Sequence, residues 1–432
     1  MDIEGILNRV EKLKPMISDH SEWSEEKGYL HPSTIDALTQ IGVPRFFLPS
    51  GLGGYEITPI ECARVTEAIA DIDASAAWYV MVYNAARLAS ATWSDEVIEM
   101  IFRENPDTLV SASGNSPYQA VEKEDCYQID GVNHFASGCR YAKWMLSPVR
   151  LDNELATVLL PMEDCEILDD WDSLGMRGSG SNSVRANQLC VPKNLINLPS
   201  NNSSGNNRYY SGLLYKSPAR IVFATYVPIA FSLARKSLAL LQDLALEKTP
   251  YATNTKLKNR KLAQSHFGKA RAIYRAARSF FYEELEKAWV FTKEEREFTE
   301  EDKADLYLAG VHAVQECAQV LSLVSNAAGT SVTDRKHPLE RIRRDMETLR
   351  HHGFVNESRY SSVAQVFWGA ESGFACLDHT IRSVIEDGWT HHIPRLMVLG
   401  NLANLLDINP RELTDWFHVA FIDAYDWVVE PN

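Results

Sequence analysis

The chain has 432 residues, 45% of them apolar and 10% aromatic, which is enough to bury a large core in one to three domains. Its formal charge of −15 argues against a nucleic-acid groove or an anionic membrane surface, since both need clustered Lys and Arg. The first stretch, Met1 to Lys14, is charged and amphipathic rather than secretory, and no later window reads as a membrane span, so a cytoplasmic protein without nucleic-acid or membrane partners is expected.

In chain order, Ile3, Ile6, Leu7, Val10 and Leu13 space a first helix, and Ile35, Leu38 and Ile41 space a second, entered through His31-Pro32-Ser33. Gly51-Leu52-Gly53-Gly54 lacks the spacing of a phosphate-binding loop and reads as a turn. Two longer helices follow, Pro59 to Ile72 and Ala74 to Ala91, and Ser94 to Glu104 closes a helical region spanning 1–106. From 107 to 198 short strand-like runs alternate with turns such as Asp130-Gly131 and Arg177-Gly178-Ser179-Gly180, the pattern of a small antiparallel β-domain. Residues 201–207 form a polar loop.

Helices then return over 199–388 as a four-helix bundle. They run from Ser217 to Glu247 with Pro228 as a kink, from Leu257 to Phe291, from Thr299 to Ala328, and from Pro338 to His352. One more helix runs to about Asp387. The aromatic tail 389–432, with Trp416, Phe417, Phe421, Tyr425 and Trp427, reads as an oligomer contact.

The helix beginning at Pro338 carries the first candidate chemistry. Leu339, Ile342, Met346 and Leu349 make one face apolar, and Asp345 and His352, seven apart, are predicted to align while His351 turns about 100° away. An imidazole is the side chain suited to proton exchange near neutrality, so His352 is a candidate acid, base or donor. The seven cysteines, Cys62, Cys126, Cys139, Cys165, Cys190, Cys317 and Cys376, contain no C-x-x-C pair. Reduced thiols, no disulfide and no metal site are expected.

Several motifs resemble those of the acyl-CoA dehydrogenase superfamily, which has this same order of helical domain, β-domain and bundle. Val43-Pro44 to Gly54 is similar to its segment leading to G-G, and Asp73 to Trp78 to its D-x-S-x-x-W piece. Gly131 to Cys139 resembles the G-x-W-x-F-x-S-G-C flavin segment, and Trp171 to Ser181 contains a G-M-R-G-S motif. Leu339 to Asp345, with His352 following, resembles the two-component flavin-dependent monooxygenases within that superfamily.

The resemblance implies reduced FMN or FAD supplied by a separate reductase, O2 as co-substrate, a homotetramer, and oxygenation of a small organic substrate through a flavin C4a-hydroperoxide. His352 would act near that group, Ser137 would bond the isoalloxazine, and Trp171, Arg177, Ser179 and Ser181 would border the flavin. Asn115 would face flavin or substrate, with Trp78 and Asn84 lining the substrate pocket.

Two positions depart from the pattern. Tyr83, Asn84, Ala85 and Ala86 stand where many aromatic hydroxylases carry a second histidine, and Asn133 replaces the usual Trp of the flavin segment. The alternatives are a true acyl-CoA dehydrogenase, whose catalytic glutamate is not matched in setting by Glu371 or Glu386, which read instead as surface carboxylates, and a non-catalytic scaffold that kept the fold.

Overall fold

Local sequence explains where the helices begin. Thr58-Pro59-Ile60-Glu61 forms a full capping box with proline in the first turn, and Asp73 accepts the Ala76 N–H to start the following helix. The computed structural model describes residues 2–152, 154–198, 207–361, 380–382, 384, 398–399, 403 and 410–420. It divides into one unit of residues 1–298 and 305–356 and another of residues 299–304 and 357–432.

In the first unit, helices α1 (Ile3–Asp19), α2 (Ser21–Lys27), α3 (Pro32–Ile41), α4 (Pro59–Ala70), α5 (Ala74–Ala89) and α6 (Asp95–Phe102) precede the strands. These are β1 (Val110–Ala112), β2 (Tyr118–Glu122), β3 (Cys126–Asn133), β4 (Trp144–Leu151), β5 (Glu154–Pro161), β6 (Glu166–Ile167), β7 (Val184–Pro192) and β8 (Ile196–Asn197). They make one sheet in the order β6-β7-β3-β2-β4-β5-β8, with β1 also on β4. The fold is mainly helical with a small sheet domain, as expected, but the sheet is mixed rather than antiparallel, because β4 runs parallel to both β1 and β2.

The long helices are α7 (Val227–Glu247), α8 (Lys261–Lys293), α9 (Glu300–Ala328) and α10 (Pro338–Arg350). One apolar core joins α1, α3, α4 and α5 to residues of α7, α8, α9 and α10, and a second lies between the sheet and α6. In the other unit, Ile381, Val384, Leu399, Ala403, Trp416 and Phe417 cluster. Most of the expected helix to Asp387 and of the tail, with Phe421, Tyr425 and Trp427, and nearly all of the polar loop lie outside the described residues.

Four further expectations are corrected. Pro228 does not kink a helix; a 3-10 turn occupies Ala219–Thr225, and Pro228 sits in the first turn of α7, where its missing N–H costs nothing. The stretch Ala219–Glu247 is long and apolar enough to cross a membrane, yet 83% of its most apolar window is buried inside the protein, as a core helix requires. Cys126 and Cys190 form a disulfide, since β3–β7 pairing brings their Cα atoms to 5.8 Å. Finally, α10 stops at Arg350, so helical spacing does not carry from Asp345 to His352.

Candidate functional site

The N-cap at Asp73 sets the start of α5 and so the position of Trp78, which is 6% exposed. Trp78 Nε1 donates to Ser137 Oγ at 3.1 Å, Ser137 Oγ meets Ser181 Oγ at 2.7 Å, and Ser181 Oγ meets Ser179 Oγ at 2.8 Å. Ser111 Oγ donates to the Ser137 carbonyl, fixing that backbone from the β1 side. Because Ser137 Oγ accepts from an indole, its own hydrogen is left to donate along the row or outward.

His352 closes the other side of Trp78. Their ring centroids are 5.0 Å apart, with Tyr226 at 5.8 Å and Phe354 at 5.3 Å from the imidazole, all edge-on. The turn after α10 produces this placement: the His352 N–H still bonds the Leu349 carbonyl while the side chain swings into the aromatic group. His351 points away, exposed, with Nε2 3.1 Å from Glu347 Oε1.

The loop over 171–181 is tied down from several directions. Trp171 Nε1 donates to the Arg177 carbonyl, and the Trp171 ring stands edge-on to Phe135 at 6.2 Å. Phe135 is 59% exposed and Leu174 58%, a large apolar surface to leave in water on the two segments that carry the hydroxyls. Arg177 is occupied within its own surroundings, donating to the Glu25 carbonyl, to Asp172 and to the Ser173 carbonyl.

Helix α10 grips the same loop. The Gly175 N–H donates to Thr348 Oγ1 at 2.9 Å and the Met176 N–H to Asp345 Oδ1 at 2.6 Å. A Cβ on Gly175 would lie 2.1 Å from the Arg344 carbonyl oxygen, so only glycine permits this approach. Asp345 is buried, and burial raises its pKa to about 6 against the pull of Arg341 and the Met176 N–H. Arg341 bonds Ser21 and pairs with Asp73 at 2.9 Å and Glu25 at 2.6 Å, while Arg344 pairs with Glu25 and Glu340. Ser21 also donates to Asp73. One charged cluster thus joins α2, the cap of α5, α10 and the loop.

Of the residues singled out in the sequence, Trp78, Ser137, Ser179, Ser181 and His352 come together, and Trp171 and Arg177 frame the adjoining loop. Asn84 does not face a pocket. It is fully buried, accepting from the Phe47 N–H and donating to the Val43 and Val80 carbonyls, so its amide anchors the 43–47 segment to α5. Asn133 is likewise buried and donates to the Ser116 carbonyl. Asn115 is exposed on its loop, its amide 3.5 Å from the His134 carbonyl. Tyr226 and Phe354 were missed, because nothing in their local sequence marks them and only tertiary packing brings them to His352.

This arrangement fits a flavin. An isoalloxazine needs hydrogen-bonding groups along its polar edge and apolar cover for its faces, and the hydroxyl row, on segments that also expose Phe135 and Leu174, offers both kinds of group. Ser137, Ser181 and Ser179 would hold its polar edge, and Phe135, Trp171 and Leu174 would cover it.

Known proteins share the fold and parts of the sequence. The family described as acyl-CoA dehydrogenase, C-terminal domain, matches residues 224–357. Indole-3-acetate monooxygenase of Acinetobacter baumannii is 26% identical over 355 residues, covering 80% of this chain and 89% of that protein. Among solved structures, XiaF from Streptomyces sp. in complex with FADH2 and glycerol superposes with a TM-score of 0.79 at 18% identity, covering 85% of this chain and 96% of that one. TdsC from Paenibacillus sp. A11-2, with FMN and indole, gives a TM-score of 0.69 at 19% identity, covering 84% and 96%.

Proposed function

We infer that this chain is a flavin-dependent monooxygenase of the acyl-CoA dehydrogenase superfamily, and that it oxygenates a small aromatic substrate using reduced flavin and O2. The observation that carries this reading is the continuous path from His352 across Trp78 to Ser137, Ser181 and Ser179. When bound, reduced flavin supplies the two electrons that let one oxygen atom of O2 enter the substrate and the other leave as water.

The chain's own residues do the rest. Trp78 orients Ser137, so the hydroxyl meets the ring's polar edge in one direction rather than rotating. His352, held among aromatic edges, carries a proton at its ring nitrogen for the departing oxygen. The aromatic surroundings keep bulk water from diverting oxygen into peroxide. The names of relatives favour an aromatic substrate: one is an indole-3-acetate monooxygenase, and another, from Acinetobacter baumannii and 22% identical, is the oxygenase component of p-hydroxyphenylacetate 3-hydroxylase. A separate flavin reductase, FMN or FAD as the flavin, a homotetrameric assembly and a cytoplasmic setting belong to the same proposal. For the acyl-CoA dehydrogenase alternative, Glu371 and Glu386 lie outside the described residues.

The test is to mix the protein anaerobically with reduced FMN or FAD, then with O2, and follow flavin absorbance. Reoxidation much slower than that of free flavin, with peroxide released only when substrate is absent, supports the reading. Reoxidation at the free-flavin rate, combined with bleaching of bound FAD by an acyl-CoA, would replace it with dehydrogenation.

A further inference from the structure

Strand register puts Val184 between Asn133 and Ile167, and the same three segments run on past the sheet toward the site. There His134 Nδ1 meets Ser183 Oγ at 2.7 Å, and the Ser183 N–H donates to Asp170 Oδ1 at 2.8 Å. The Ser183 hydroxyl donates to Asp170 as well: burial raises that carboxyl, but the hydroxyl and the N–H hold it below its ordinary value. With its hydrogen given to Asp170, Ser183 Oγ accepts from the His134 Nδ1–H, which fixes the tautomer of the ring. The donors therefore run one way, from imidazole through hydroxyl to carboxylate.

Each member of this row is a near neighbour in the chain of a residue assigned to the flavin. His134 precedes Phe135, Asp170 precedes Trp171, and Ser183 stands two residues after Ser181. Phe135 needs such support. Its φ is +61°, a left-handed conformation that crowds Cβ against the backbone and is an outlier for a bulky residue. The residue is also 59% exposed, so neither backbone preference nor burial accounts for the geometry.

What the conformation achieves is contact, since it stands the Phe135 ring edge-on to Trp171 at 6.2 Å. The backbone is pinned on both sides of the turn. The His134 carbonyl accepts from Ser113 Oγ at 2.6 Å and lies 3.5 Å from the Asn115 amide, while the Ala136 N–H bonds the Asn182 carbonyl. A strained residue held this firmly, yet with its side chain left in water, is the kind of outlier that points to function.

We propose that His134, Ser183 and Asp170 are positioning residues of the flavin site, a row that holds Phe135 in its left-handed turn against Trp171 as one preformed apolar wall for the isoalloxazine. The wall has a use only if flavin binds beside it, so this assignment rests on the oxygenase reading. Its own content is that the row acts on flavin binding through Phe135, and not through the stability of the chain.

The experiment compares the wild-type full chain with Ser183→Ala, His134→Ala, His134→Asn and Phe135→Gly. It reads the unfolding midpoint, hydrogen exchange of the 134–137 amides in the flavin-free protein, and the Kd of anaerobically reduced FMN and FAD from quenching of tryptophan fluorescence. Ser183→Ala and His134→Ala should speed exchange and weaken flavin binding about three- to tenfold, with a midpoint close to wild type. His134 is exposed, so its variants serve if Ser183→Ala does not fold. His134→Asn, whose amide N–H can stand where Nδ1–H stands, should bring exchange and affinity back to within about twofold. Phe135→Gly relieves the strained turn, so its midpoint should hold or rise while flavin affinity falls about tenfold. Exchange that stays at the wild-type rate in the alanine variants overturns the row. Faster exchange with unchanged flavin affinity, no recovery in His134→Asn, or wild-type flavin binding by Phe135→Gly overturns its role in the site and leaves the oxygenase reading standing. A wild type that binds neither flavin overturns that reading and this assignment together, a result that the exchange rates, measured without flavin, keep distinct from failure of the row itself.

Discussion

Replacing Asp345 by Asn and by Ala separates its charge from its role as an acceptor. Burial raises its pKa from 3.8 to about 6, so the folded protein holds this proton more tightly than the unfolded chain does. The stability contributed is fully present below pH 3.8 and is lost as pH rises through about 6, a difference of ~3 kcal/mol at about 1.4 kcal/mol per pH unit. At neutral pH the ionised side chain is therefore a net cost, which remains although the Met176 N–H at 2.6 Å and Arg341 at 3.8 Å both favour the charged form.

Asp345→Asn keeps an oxygen for Met176 and removes the charge, so the unfolding midpoint at pH 8 should stay within about 2 °C of wild type, or rise. Asp345→Ala leaves a buried N–H unpaired, costing ~1–3 kcal/mol, which lowers the midpoint by roughly 2–6 °C. It also frees the 174–177 loop, so flavin affinity should fall about tenfold, while Asn retains most of it. Thermal scans from pH 4 to 8 and flavin titrations by fluorescence read both effects. The wild type should carry a pH-dependent decline near 6 that both variants lack. Equal losses in Asn and Ala would refute the reasoning, because the charge itself, through Arg341, would then be holding the loop.

Under steady supply of reduced flavin, His352→Ala should release more hydrogen peroxide per flavin oxidised with flavin affinity retained, whereas His351→Ala, exposed and facing Glu347, should behave as wild type. The reverse result, read by a peroxidase-coupled assay, would place the proton carrier at His351. Thiol titration of the unfolded, unreduced protein should find five of the seven cysteines reactive, and reduction of Cys126–Cys190 should cost about 2–4 kcal/mol, seen as a lower unfolding midpoint. Seven reactive thiols would mean that the bond does not form in solution. Asn84→Ala leaves the buried Phe47 N–H unpaired and should cost ~1–3 kcal/mol, with coupling of oxygen to product unchanged in the surviving folded protein. A change in coupling without a change in stability would return Asn84 to the pocket.

What could be read from the chain was what neighbours in sequence decide. The apolar face of α10 is buried at Leu339, Ile342, Met346 and Leu349, as its spacing predicts. The Asp73-to-Trp78 piece marked a helix start whose cap and indole both reach the site. What escaped depends on residues far apart in the chain. Asp345 was aligned with His352 on one helix, whereas its partner is Met176, 169 positions earlier, and His352 lies past the helix end. Cys126 and Cys190, 64 residues apart, meet only because β3 and β7 pair in one register. Asn84 looked like a polar pocket residue because a buried amide and a binding amide are the same letter; three backbone partners decide between them.

The cluster around Arg341 also has a consequence for how the protein is made. Ser21, Glu25, Asp73 and the Gly175–Met176 backbone all take partners from residues 341–348, so these particular contacts cannot form until that late segment has been synthesised. At ~5–20 residues per second the ribosome needs roughly ten to thirty seconds to pass from the loop to α10. During that interval the nascent chain can hold its early helices and its sheet, but the floor of the site is unbraced. A ribosome that stops before Arg341 therefore yields a polypeptide with most of its secondary structure and no assembled site, a product that quality control would meet as nearly folded.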